Sequence, residues 1–132
     1  MSEENVEVVR RGWDAYMRGD LAGALEAFAS DVITVRDATL PDFATYEGPE
    51  GALQSLLEWS ESFDDFEQTP LEYIDAGDRV LSRVRQSGRG ASSGVPVTVD
   101  VWMVFTFRDG KIVRYEFFAD EGAARKAAGL SK

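Results

Sequence analysis

Phe107-Arg108-Asp109-Gly110-Lys111-Ile112-Val113-Arg114 is the stretch whose reading decides the fold. Asp-Gly between two apolar runs signals a two-residue hairpin turn. Outward from it, patterning with a period of two predicts strands over 95–108 and 111–119, and before them over 79–88 and 67–75. Asp75-Ala76-Gly77-Asp78 reads as a further turn, and the Gly/Ser-rich segment 88–94 as a flexible hairpin tip. A last short helix is predicted over 121–128, ahead of Gly129.

Upstream the period lengthens. Val6, Val9, Trp13, Tyr16 and Met17 recur at helical spacing within 4–29. Gly19 suits a left-handed helix end and Asp20 a cap for a second helix carrying Leu21, Ala24, Leu25 and Phe28. The β-branched run 32–36 predicts a short strand with Asp37 at its end. Segment 38–48 reads as a loop or weak extended piece. A third helix fits 49–63, with Pro49 in its first turn, an inner stripe of Leu53, Leu56, Leu57, Ser60 and Phe63, and Trp59 beside the stripe. Helix, helix, strand, helix, then four strands is an α+β order. A curved antiparallel sheet wrapped around the three N-terminal helices makes a cone with a hollow inside, a natural small-molecule pocket.

At 132 residues the chain is predicted to be one domain, 1–132, with 44% hydrophobic content, enough for a real core. Its 14 basic and 24 acidic residues leave a net charge of −10, which argues against nucleic-acid and membrane partners. With neither Cys nor His, disulfides, thiol nucleophiles, imidazole or thiolate zinc sites and Ser-His dyads are excluded. Carboxylates, Tyr, Lys and Arg are left for acid–base work, and no metal or cofactor is expected. Asp64-Asp65 lacks calcium-loop spacing. The acidic start, without an apolar leader segment, gives the expectation of a cytoplasmic protein.

The order of motifs resembles the superfamily of nuclear transport factor two, ketosteroid isomerase and the SnoaL-like polyketide cyclases. Gly19-Asp20-Leu21, Ala29-Ser30-Asp31-Val32, Tyr46-Glu47-Gly48, Gly88-Arg89-Gly90 and Ser93-Gly94-Val95 carry it, together with the hairpin quoted above, Asp120, and Ala123 through Leu130. The C-terminal stretch is most similar to the SnoaL-like branch. The resemblance implies a cone-shaped, cystatin-like roll. It does not fix the chemistry, which varies within such folds.

By this resemblance Asp37, in Val35-Arg36-Asp37, stands for the isomerases' catalytic base; facing an apolar cavity, with Ile33 and Val35 as neighbours, it could take a proton α to a carbonyl. Ketosteroid isomerase itself pairs such an aspartate base with an oxyanion hole of a tyrosine and a protonated aspartic acid. Those oxyanion donors are not in register here: Gly12 falls at the tyrosine position and Met103 at the acid position, and Tyr16 lies one turn along. A missing histidine likewise separates the chain from the cyclases' acid–histidine pair. Tyr16 or Tyr115 is the candidate proton donor. Trp13, Trp59, Met103, Phe105, Tyr115 and Phe117 are the candidate ligand contacts, from an inward set of Val99, Val101, Met103, Phe105 and Phe107 on one strand and Val113, Tyr115, Phe117 and Ala119 on the next. Trp102 and Val104 face the other way, which predicts an exposed apolar patch on the convex sheet and a homodimer through it. Asp120 reads as a helix cap. Arg79, Arg83, Arg85 and Arg89 read as a solvated or dimer-facing stripe paired to Asp100 or Glu72, the sharper alternative being an arginine that reaches into the pocket for a carboxylate or phenolate ligand. The Asp–Arg–Asp set of the superfamily's epoxide hydrolases, imitated by Asp37, one of these arginines and Asp120, finds no matching spacing. The expected function is that of an isomerase or cyclase acting on an apolar carbonyl compound. The alternatives are a non-catalytic module that binds an apolar ligand and a structural role for the convex face.

Overall fold

The computed structural model of the chain describes residues 2–36 and 45–130. Its elements are α1 (Ser2–Met17), α2 (Leu21–Leu25), β1 (Phe28–Arg36), β2 (Thr45–Glu47), α3 (Gly48–Ser60), β3 (Phe63–Asp75), β4 (Arg79–Gly90), β5 (Pro96–Arg108), β6 (Lys111–Phe118) and α4 (Glu121–Ala127). One six-stranded sheet runs in the order β2-β1-β6-β5-β4-β3. It curves into a cone around the N-terminal helices. Asp109 and Gly110 both take positive φ, 53° and 79°, the mirror-image turn that matches strand twist. Gly19 sits at φ +83° after α1, and the Asp20 carboxylate accepts the Gly23 N–H at 2.9 Å.

The sheet is mixed rather than wholly antiparallel. After α3, three strands intervene before β6 returns beside β1, and it arrives parallel to it. That pairing also corrects the end of the predicted second helix: Phe28 is a strand residue opposite Ile112, so β1 begins at 28 rather than 32. At the other edge, Phe63 belongs to β3, not to α3. An irregularity between Asp64 and Glu67 bulges β3, with Asp65 at φ 55°. The bulge breaks the alternation, which is why the pattern becomes readable only from 67 onward. A Cβ on Gly88 would lie 2.9 Å from the Asp64 carbonyl, so glycine permits this close approach and β4 continues to Gly90 where a loop was expected.

Small residues seat α3. Gly51, Ala52 and Ser55 are buried, while Leu57, expected on the inner stripe, is 47% exposed. A bulge in β6, where Val113 is the extra residue between the Thr106–Arg114 and Phe107–Ile112 pairs, shifts the inward set there: Ile112 is buried in place of Val113, and Tyr115 and Phe117 follow on the concave side. On β5, Val101, Met103, Phe105 and Phe107 form the concave core as expected, but Val99 is 41% exposed. The convex face also departs from expectation. Leu81 and Val104 are buried under Ala124 and Ala128, with Trp102, Phe118 and Leu130 packed around them. The C-terminal helix thus covers the patch predicted to lie open. No helix among the described residues is long and apolar enough to cross a membrane.

Candidate functional site

An apolar cavity of about 100 Å3 lies between α1, α2, α3 and the concave sheet. Trp13 and Tyr16 of α1, Leu25 of α2, Phe28 of β1, Phe105 of β5 and Tyr115 of β6 are among its walls. An enclosed apolar void of roughly 150 Å3 holds a benzene ring, so this smaller space takes only a small ligand, part of which extends toward its opening. Leu21 at its edge is 38% exposed, so the cavity reaches the surface beside α2. The aromatics are mutually braced: Phe105 stacks on Tyr115 at 5.1 Å and Trp13 meets Tyr16 edge-on at 5.7 Å.

Behind this cavity, sharing Leu56 and Tyr115 with it, lies a tighter polar layer with about 20 Å3 of space, lined by Arg36, Ser55, Gln68 and Gln86. Trp59, Met103 and Phe117 complete its walls. The candidate contacts therefore divide: Trp13, Phe105 and Tyr115 line the cavity, whereas Trp59, Met103 and Phe117 belong to the deeper layer. Trp59 packs on Phe117 at 5.1 Å.

The polar layer is closed by hydrogen bonds. Trp59 Nε1 donates to Gln86 Oε1 at 2.9 Å, Gln86 Nε2 to Gln68 Oε1 at 2.7 Å, and Gln68 Nε2 to the Tyr16 oxygen at 3.2 Å. Arg36 is buried, donates to the Ser55 carbonyl at 3.1 Å, and lies over the rings of Tyr46 and Trp59 at 5.6 and 5.8 Å. Its Nη2 stands 3.9 Å from the Glu58 carboxylate. A hydrogen bond from Tyr46, then one from Gln54, holds that carboxyl below the usual range. Tyr115 donates to the Met103 sulfur at 3.3 Å. Burial, and secondarily the neighbouring Tyr16, pushes the Tyr115 phenol well above its usual range, with Arg36 opposing the shift.

Arg36, Gln68 and Gln86 were not among the candidates from sequence. Their signal is parity. Val80, Ser82, Val84 and Gln86 alternate inward on β4, and Val32, Thr34 and Arg36 do so on β1, so a polar side chain at an inward position marks the layer. The same parity corrects the reading of β1, where Ile33 and Val35, only half-buried, were expected to face the cavity. Asp37 lies outside the described residues. Asp120 caps α4, accepting the Ala123 N–H at 2.8 Å. Arg83 and Arg85 share Asp100 at 2.9 and 2.8 Å, and the Arg85 bond foremost holds the Asp100 carboxyl below its usual range. Arg89 pairs with Asp65 at 2.7 Å. Engaged there or at the helix cap, Arg83, Arg85, Arg89 and Asp120 are not among the residues lining the cavity or the polar layer.

The comparisons agree with this architecture. None of the curated proteins matches the chain in sequence. An NTF2-like protein from Burkholderia thailandensis is 24% identical, with a TM-score of 0.78 over 96% of this chain and 97% of that one. An NTF2-like protein from Burkholderia xenovorans is 27% identical, with a TM-score of 0.72 over 97% and 98%. TerC, solved with polyporic acid, is 24% identical, with a TM-score of 0.74 over 96% and 98%. The SnoaL-like domain family matches residues 9–115, most of the chain, and the protein belongs to that family.

Proposed function

We propose that the protein binds a compact apolar compound bearing a carbonyl oxygen in the cone cavity. The observation that carries this reading is the cavity itself: hydrocarbon walls of Leu25, Phe28 and Phe105, with the hydroxyl-bearing rings of Tyr16 and Tyr115 set among them. Such walls favour burial of an apolar body, and a few polar groups orient it. TerC, of similar fold, was crystallised with polyporic acid, which supports a small-molecule role for such a cone. Cyclohexanone titrated against the protein tests the reading through the indole signals of the three tryptophans. A saturable shift of Trp13, with Trp102 on the convex face unmoved, is the expected result; an unmoved Trp13 contradicts it.

The catalytic form of the reading adds Asp37 as general base and Tyr16 as donor to the developing enolate oxygen, giving isomerisation or cyclisation. Removing one such donor costs other enzymes about 3 kcal/mol. Faster exchange of the bound ketone's α-hydrogens with deuterated water, lost in Asp37→Asn with binding retained, is the expected signature. Exchange unaffected by that substitution leaves the binding reading and removes the catalytic one.

A homodimer through the part of the convex sheet that α4 leaves uncovered, beside the Arg83–Asp100–Arg85 cluster, belongs to the same proposal. Sedimentation at twice the monomer mass, lost on Arg85→Glu with the fold intact, is expected; monomeric wild-type protein contradicts it.

A further inference from the structure

We propose that Gln68 and Gln86 are positioning residues that fix the direction of the Tyr16 hydroxyl, so that the cavity offers hydrogen-bond donors and selects ketones or ethers over alcohols of the same shape. The inference rests on the cavity being the ligand site.

It starts from Trp59, because an indole N–H can only donate. Gln86 must therefore present its oxygen to Trp59, which leaves its NH2 to meet Gln68. Gln68 in turn gives its oxygen to Gln86 and its NH2 to the Tyr16 oxygen. Turning either amide over would place two donors or two acceptors face to face. Gln86 is 2% exposed and Gln68 6%, so no bulk water compensates a reversal. Tyr16 is thus held as an acceptor on its inner side, and no acceptor among the described residues takes its proton.

Two more donors stand in the same wall. Tyr115 spends its O–H on a thioether, a weak acceptor. The Trp13 indole N–H is buried and has no hydrogen-bond partner among the described residues. Trp13, Tyr16 and Tyr115 all line the one cavity, and its other walls among the described residues are hydrocarbon or the Gly12 backbone. A ketone oxygen accepts from these groups and leaves nothing unpaired. An alcohol also accepts, but among the described walls only the Tyr115 oxygen, already donating to Met103, is left to take its own O–H, and an unmade buried hydrogen bond is costly.

The test compares dissociation constants of cyclohexanone and cyclohexanol, read from the Trp13 indole signal. The native protein is expected to hold the ketone about tenfold more tightly. In Gln68→Leu the Tyr16 hydroxyl is free to turn and accept, so the preference should fall to nearly one. Gln68→Glu, close in shape, gives Tyr16 an acceptor once the carboxyl ionises, and the preference should invert as pH rises. A purely structural role for Gln68 would weaken both ligands together and leave their ratio unchanged. Should Gln68→Leu fail to fold, Gln68→Glu, the near-isosteric variant, decides. An unchanged ratio in the folded variants, or equal binding of both ligands to the native protein, overturns this proposal and leaves the binding reading standing. Binding of neither ligand overturns both.

Discussion

The two faces of the sheet pack in contrasting ways. On the convex side Leu81 and Val104 meet Ala124 and Ala128 of the C-terminal segment, and all four are almost fully buried. Small helix residues there let α4 settle close to the strands. On the concave side, larger side chains from α1, α2 and β5 stop short of one another and leave a cavity of about 100 Å3, while the glutamines and Arg36 fill the layer behind it. The apolar cavity thus lies where most walls need no partner, and Arg36, Gln68 and Gln86 are brought together where they can pair, while the buried Thr34 and Ser82 hydroxyls and the Trp13 N–H have no partner among the described residues. The convex side contributes chiefly stability; the concave side gives up some packing for room.

The sharpest way to break this contrast is to truncate one leucine on each face. Leu81→Ala, in the dense convex core, is expected to cost about 3 kcal/mol, and Leu25→Ala, half-buried beside existing space, less than half as much. Urea unfolding of both variants checks this, and equal costs would contradict it. Gln86→Leu probes the polar layer. It leaves the Trp59 N–H and the Gln68 oxygen without their partner, at a cost of about 2 kcal/mol, visible as a lowered Tm.

Alkaline titration addresses the seam between cavity and polar layer. The Tyr115 phenol is raised above its unfolded value, which is about 10. Below that pH both states keep the proton and nothing changes. Above it the unfolded chain loses the proton first, so stability falls, by up to about 1.4 kcal/mol per pH unit for one such group. Tyr115→Phe should flatten this fall, leaving the smaller contribution of Tyr73, whose phenol is raised by burial in the same direction. An unaltered slope contradicts the assignment. The smallest effect is expected at Gly12, which lines the cavity from the interior of α1. A Cβ there would approach only the Ala24 carbonyl, at 3.9 Å, so Gly12→Ala should stabilise the helix by about 1 kcal/mol. The added methyl narrows the cavity and should weaken cyclohexanone binding slightly.

The hairpin at Asp109-Gly110, the break at Gly19-Asp20 and the cap at Asp120 were legible in sequence because each is a local event with its own residue chemistry. The bulges in β3 and at Val113 in β6 were not, since each shows only in the register against a partner strand. The burial of Val104 was hidden for a related reason: alternation shows which side chains share a face but not what covers it. At the site, Trp13, Tyr16 and Phe105 followed from periodicity and their large rings, and Tyr115 from the family resemblance. Gln68 and Gln86 are 18 positions apart, and only the pairing of β3 with β4 sets them opposite each other.

The most direct measurement is a crystal structure of the protein soaked with cyclohexanone. The ring is expected in the cavity among Trp13, Phe28, Phe105 and Tyr115, with its oxygen within hydrogen-bonding distance of the Tyr16 hydroxyl. A ligand found only outside the cone, or a cavity that stays empty at saturating ketone, would contradict the assignment of this space as a binding site.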